Sequence, residues 1–309
     1  MGVYHHGERS VQERAGLLDH AGFSSGAIKS EIPDIAVDFL AQQPMLVIGA
    51  ADDHGALWAS LLTGAPGFLT ATGPASLTVD AAPPAGDPLH PALTRPARLG
   101  MIAIEPATRR RMRMNGTASP HGTGLHVDLD QVYANCPKYI QKRTPTTAPT
   151  ADAPDPTRRH GTELTPGQLA FVARTDTFFI ATADRDGNAD ASHRGGHPGF
   201  LQALSPTRLR WPDYVGNAMF GTLGNLEVNP RAGLLLPDWS TGTLLQLTGT
   251  ATVDWDPGHA AAVPGAQRIV EFTVEHAVQS DHASPLRWTA PQYSRFNPPA
   301  PQPLEGASA

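Results

Sequence analysis

Residues 176–184 read DTFFIATAD, a short apolar run closed at both ends by an acidic residue. That pattern predicts a buried strand. Asp186-Gly187 then suits a hairpin turn, because Gly accepts the positive φ of primed turns, and NADASHRGG (188–196) is the expected partner strand. Upstream, Thr165 as N-cap and Pro166 at the first helical position predict a helix over PGQLAFVART. Further strands are expected at TRLRW, AGLLLPD and TLLQLTGTATVDW. RRRMRMNG (109–116) alternates, so Met112 and Met114 share one face of a strand and Arg111 and Arg113 the other. The arginine face is expected to be solvated or at an interface rather than an anion site. Sequential strands with short turns and a helix near the start describe a small antiparallel barrel.

The same pattern occurs twice. Shifting the chain by about 132 positions superposes Phe39 on Phe171, Ile48 on Ile180, Asp52 on Asp184 and Gly55 on Gly187. The register runs on through Ser60 and Ser192, Gly64 and Gly196, Pro66 and Pro198, Gly67 and Gly199, Phe68 and Phe200. One residue is then gained, and Gly100 meets Gly233 and Gly116 meets Gly249. A period this long is a duplicated domain, since solenoid units run only ~20 to 50 residues. The first copy's helix is expected in SEIPDIAVDFLAQQ (30–43). Between the copies TPTTAPTADAPDPT (144–157) offers almost nothing to bury and disfavours regular structure. From Ser284 onward, Pro285, Pro291, Pro298, Pro299, Pro301 and Pro303 argue for a surface-wrapping or mobile tail. The expected division is a first barrel with its N-terminal extension (1–143), a linker (144–160), a second barrel (161–283) and a Pro-rich tail (284–309).

Composition changes little in this picture but removes alternatives. The chain has 309 residues, 17% charged and 6% aromatic, with a formal net charge of −6. Its basic residues form no broad footprint for nucleic acid, and no stretch approaches the ~20 apolar residues that span a bilayer. The start is rich in His, Glu and Arg, so a cytoplasmic protein is expected. One cysteine, Cys136, excludes an internal disulfide. Thirteen histidines fall into no strong ligand spacing, so no metal site is expected. No GxGxxG or Walker pattern is present, and Ser60 and Ser192 are not in a GxSxG elbow.

The candidate chemistry lies in the second copy. DASHRGGHPGF (190–200) is followed by GNAMFGTLGNLEVNPRAGLLL (216–236). Arg194 can donate two parallel hydrogen bonds to phosphate oxygens, Ser192 and Thr222 can add hydroxyl donors, and Gly195 and Gly196 let the main chain come close. Asn217 and Asn225 could serve a polyol chain or ring carbonyls, with Leu223 beside them. Ser192 and Arg194 share a strand face, and His193 points the other way. Taken singly, these residues would be turn formers, caps or a solvated arginine.

Together, the strings resemble the FMN-binding core of the pyridoxamine 5'-phosphate oxidase-like split barrels, whose hydroxyl- and Arg-bearing strand precedes a Gly-Pro turn and a short helix ending at Asn-Pro, here Asn229-Pro230. YHHGERSVQERAG (4–16) and NCPKYIQKR (135–143) resemble features of a two-domain branch of that family. The resemblance implies a mainly β (α+β) chain of two tandem split β-barrels that binds FMN and performs two-electron redox chemistry on a small molecule. Lys138, Tyr139 and Arg143 could reach the cofactor from the first copy, the alternative being that Pro137 and Tyr139 only close the first barrel and the cations are solvated. His193, Tyr214 and Tyr139 are the candidate acids or bases. In copy one, Leu61 and Leu62 replace His193 and Arg194, so its site is expected to be degenerate. A further dimer of chains is compatible with this plan. The other classes compatible with these residues are a barrel using heme or a deazaflavin, and a non-catalytic flavin or ligand carrier. Arg287 and Arg295 have no assigned role, and the single-barrel oxidase pattern is not reproduced.

Overall fold

The structure, a computed structural model, describes residues 3–146 and 156–299. The first half builds helices α1 (His6–Arg14), α2 (Leu18–Ser25) and α3 (Asp34–Ala41), then strands β1 (Met45–Ala51), β2 (Leu57–Thr63), β3 (Leu69–Gly73), β4 (Ser76–Val79), β5 (Ala97–Glu105), β6 (Arg110–His121) and β7 (Gly124–Ala134). Short strands β8 (Pro145–Thr146) and β9 (Thr157–Gly161) follow. The second half holds α4 (Pro166–Arg174), β10 (Thr177–Ala183), β11 (Ala189–Gly195), β12 (Gln202–Ser205), β13 (Arg208–Tyr214), α5 (Gly221–Val228), β14 (Arg231–Pro237), β15 (Leu244–Asp254), α6 (Pro257–Ala261), β16 (Ala266–Asp281) and β17 (Arg287–Trp288). The chain is mainly β with short helices. Among the described residues no helix is long and apolar enough to cross a membrane.

Among the described residues two large antiparallel sheets form, ordered β2-β1-β5-β6-β7-β4-β3 and β11-β10-β14-β15-β16-β13-β12, with β9 added to β16 and β8 and β17 making a separate two-stranded sheet. The orders correspond strand for strand, and in neither path do the end strands pair with each other. Registers correspond too. Ile48 lies opposite Ser60 as Ile180 lies opposite Ser192, and Ile102 opposite Arg113 as Leu235 opposite Gln246.

Both faces of β1 and β10 are buried over almost their whole length. One face fills the core of its own sheet, with Ile48, Leu62 and Met114 in the first and Phe178, Ile180 and Leu234 in the second. The other face meets the opposite half, where Val47, Ala59 and Ile102 pack with Phe179, Ala191 and Leu235. The sheets approach so closely that a Cβ on Gly100 would stand 2.4 Å from the Asp190 Cα, and one on Gly233 2.6 Å from the Trp58 Cα. Only glycine fits there.

Two expectations are corrected. The first-copy helix starts at Asp34, with Pro33 as an N-cap that makes no side-chain hydrogen bond; residues 30–33 stay outside because proline holds its predecessor extended. The expected linker ends in regular structure, since β8 pairs with β17 and β9 with β16. These exposed segments satisfy their backbone groups on strand edges, which composition does not report. Residues 147–155 of the linker and 300–309 of the tail lie outside the described residues. The remaining tail packs down, with Trp288 only 8% exposed and Lys142 bridged to Gln292.

Candidate functional site

A cavity of about 340 Å³ opens between the halves. β11 brings Ser192, His193, Arg194 and Gly195 to it, β6 brings Arg111 and Arg113, and the strap after β7 brings Cys136, Lys138 and Tyr139. Residues 212–218, Phe220, the first turn of α5 with Thr222 and Leu223, and Arg268 on β16 complete the wall. The Arg face of β6, read as solvated or interfacial, is interfacial: Met112 and Met114 turn into the first core while Arg113 is 7% exposed and ion-paired with Asp190 of the second half.

The lining backbone is unusual. Of the five non-glycine residues with positive φ among the described residues, Tyr139 (65°), Ala218 (60°) and Phe220 (58°) all border this cavity. Such conformations cost energy and concentrate at functional sites. Phe220 is also the N-cap of α5, which has no side-chain cap there, so its first N–H groups gain no hydrogen bond from that position.

Charge is the dominant property. Four guanidinium groups and Lys138 line the cavity, against Asp213 in the wall and Asp190 behind Arg113. Arg268 lies 3.3 Å from Asp213. Burial, then Arg113 and Arg194, press the Arg111 pKa down to about 9. Burial lowers that of Arg194 as well, opposed by Asp213, and burial raises that of Asp213 against the two arginines facing it. Several buried atoms have no partner: Thr222 Oγ1, His193 Nε2, and Nε of Arg111 and Arg113. Buried polar groups without partners are uncommon, and these are almost all donors. A ligand with several acceptor oxygens and negative charge would satisfy them, as a phosphate does. The residues present therefore fit a phosphate-bearing cofactor.

Of the residues picked from sequence, Ser192, His193, Arg194, Gly195, Asn217, Thr222, Leu223, Lys138, Tyr139 and Tyr214 line this cavity. Three do not. Arg143 is held away by a 2.6 Å ion pair with Asp176 and lies over the Trp239 ring. Gly196 is turned aside, its carbonyl accepting from Gln141 at 3.1 Å. Asn225 points to the opposite side of α5, hydrogen-bonded to Thr182 Oγ1 (3.0 Å) and His5 Nε2 (2.9 Å). There it lines a second cavity, of about 500 Å³, together with Glu8, Asp130, Asp184 and Asp186. That cavity is larger but carries the wrong sign for a phosphate. Arg111, Arg113, Asp213 and Arg268 were missed as site residues. The Arg/Met alternation of β6 was visible, but nothing in it says which half its polar face meets.

A family model described as Pyridoxamine 5'-phosphate oxidase matches residues 164–290, the half that supplies β11 and α5. Through this segment the chain is similar to the pyridoxamine 5'-phosphate oxidase family. The oxidase-like segment thus contributes Ser192, His193, Arg194 and Thr222, while Arg111, Arg113, Lys138 and Tyr139 come from outside it. No curated protein matches the chain. Among solved structures, a Lactobacillus delbrueckii protein named for pyridoxamine 5'-phosphate oxidase is similar at 21% identity, covering 38% of this chain and 94% of that one, with a TM-score of 0.32. HupZ of Group A Streptococcus is similar at 13% identity, covering 36% and 90%, TM-score 0.31. A FAD-binding protein of Mesorhizobium loti is similar at 14%, covering 40% and 97%, TM-score 0.28. Such values bear on neither chemistry nor site.

Proposed function

We propose that the chain is an FMN-dependent oxidoreductase acting on a small molecule, built from a duplicated domain as two tandem split barrels with one cofactor site between them. The barrels span 1–143 and 161–283, joined by the 144–160 segment and followed by the 284–309 tail. The observation that carries the reading is the convergence of unpartnered, buried donors on a cationic cavity whose wall includes β11 and α5 of the oxidase-like segment.

In this reading Arg194, Ser192 and Thr222 hold the phosphate, with the uncapped start of α5 adding main-chain donors. Arg194 already donates to Ser192 Oγ at 2.9 Å, so the two are placed to act together. Asn217 is left for the polyol or ring edge. Tyr139 and Tyr214, whose ring centroids are 5.1 Å apart, form an aromatic wall, and Tyr139 is fixed by donating to the Val215 carbonyl at 3.0 Å. Ser192 and Thr222 are buried, and keeping water from them strengthens each charge-assisted contact they share. When bound, the flavin supplies the two-electron redox chemistry, and the protein positions the substrate against it.

The test is the absorption spectrum of the purified chain, with the released chromophore identified by mass and anaerobic reduction followed optically. Oxidised-flavin bands and released FMN support the reading. A Soret band, a deazaflavin, or a colourless chain that takes up no added FMN contradicts it.

A further inference from the structure

His193 stands in the cavity wall on β11, and its surroundings define its protonation. Arg111 Nη1 lies 3.0 Å from His193 Nδ1. A guanidinium carries five N–H donors and no acceptor, so the bond forms only if Nδ1 is unprotonated and accepts. The imidazole proton then sits on Nε2. That nitrogen is buried and finds no partner in the protein, and His193 itself is 4% exposed. The edge of Phe179 packs against the ring, the ring's Cε1 faces the Gly195 backbone, and the charges acting on it are all positive: Arg111, Arg194 and Arg143. Burial first, then these arginines, hold the imidazolium form well out of reach at neutral pH.

We infer that Arg111 is the positioning residue of His193: it locks the imidazole as the neutral tautomer protonated at Nε2, so that His193 meets the occupant of the cavity as a hydrogen-bond donor and not as a base. The acceptor is a carbonyl oxygen, an anionic oxygen or an unprotonated ring nitrogen of the bound molecule. Arg111 comes from the first half and His193 from the second, so the donor exists only when the halves are docked. The first step stands on the protein alone, and the second rests on the flavin reading of the cavity.

Long-range proton–nitrogen NMR on the chain labelled in histidine nitrogen tests it, with His193→Gln used to assign the signal. Across about pH 5 to 8, where histidines ordinarily titrate, wild type is expected to show Nδ1 bare and Nε2 protonated throughout. Arg111→Met is expected to mix the tautomers while burial, Arg194 and Arg143 still keep His193 neutral, and Arg111→Lys, which can still donate to Nδ1, is expected to restore the single tautomer. In parallel, His193→Gln, a donor without basicity, should keep FMN affinity within about threefold, and His193→Phe should lower it roughly tenfold, as loss of one hydrogen bond predicts. A proton on Nδ1 in wild type, titration of His193 inside the window, or an unchanged tautomer in Arg111→Met overturns the assignment. If His193→Phe binds FMN as tightly as wild type, the donor role falls. A chain that binds no FMN yet shows the bare Nδ1 contradicts the flavin reading and leaves the Arg111–His193 assignment standing.

Discussion

His193 and Arg194 on β11 occupy the register positions that Leu61 and Leu62 occupy on β2, and Arg111 and Arg113 on β6 the positions of Leu244 and Gln246 on β15. Two equivalent corners of the molecule thus follow opposite policies. In the first, Leu61, Leu286 and Trp239 pack against a cluster that includes Leu244 and Trp288, so apolar side chains fill the place. Its Gln246, Ser60 and Asp87 satisfy one another, since Gln246 donates to Ser60 Oγ (3.0 Å), the Ala59 carbonyl (3.0 Å) and Asp87 (3.2 Å) and Ser60 donates to Asp87 at 2.7 Å, while Trp239 Nε1 is left without a partner. In the second, four arginines converge and buried donors are left over. The difference teaches that function is marked less by which polar residues are buried than by which stay unsatisfied.

The comparison breaks most readily at its charged centre. Asp190→Ala leaves Arg113 buried without its partner, and the expected loss is about 3–5 kcal/mol in denaturant unfolding; Trp58, its counterpart in the first half, carries no charge. An unchanged midpoint would mean that the pair does not hold the halves together. Next in size, Arg194→Leu gives β11 the residue that β2 already has. FMN affinity should fall about 100-fold or more, since a bidentate charged contact is lost, with little change in the melting curve.

A pH dependence separates the two cavities. Glu8, in the acidic one, has its pKa raised from 4.5 to about 7, by burial first and then by Asp190 against the nearby Arg113. Its folded value exceeds the unfolded one, so its contribution is fully present below about pH 4.5 and is lost as pH rises through about 7. Glu8→Gln is expected to flatten the stability slope in that window, by on the order of 1–3 kcal/mol at pH 8, where thermal unfolding compares the two chains. The smallest effect concerns helix starts. Thr165 accepts from Gln168 N in a capping box on α4, whereas α3 has no side-chain cap. Thr165→Ala should cost about 1 kcal/mol in chemical unfolding, and Pro33→Ala at the α3 N-cap should not lose a cap hydrogen bond.

Much of the second half was legible because its signals are local. The apolar run of β10, the Asp186-Gly187 turn (φ of Gly187 81°) and the Thr165-Pro166 helix start each depend on a few adjacent residues. The site was legible in part for the same reason, since Ser192, His193 and Arg194 are consecutive. The rest depends on which faces meet. Arg113 looks like a solvated strand residue until Asp190, 77 positions away, is brought against it. Arg143 and Lys138 are near neighbours in one strap, yet only Lys138 reaches the cavity, because Asp176 captures Arg143. Asn225 and Thr222 lie less than one turn apart on α5 and face different cavities. Neither spacing nor composition encodes such choices; docking of the halves makes them.

The central claim, one working corner and one filled corner per chain, is tested most directly by the stoichiometry of FMN uptake in a calorimetric titration of wild type and Arg194→Leu. The account predicts one FMN per chain in wild type and none measurable at the same concentrations in Arg194→Leu. Two per chain in wild type, or one retained with undiminished affinity in Arg194→Leu, would contradict it.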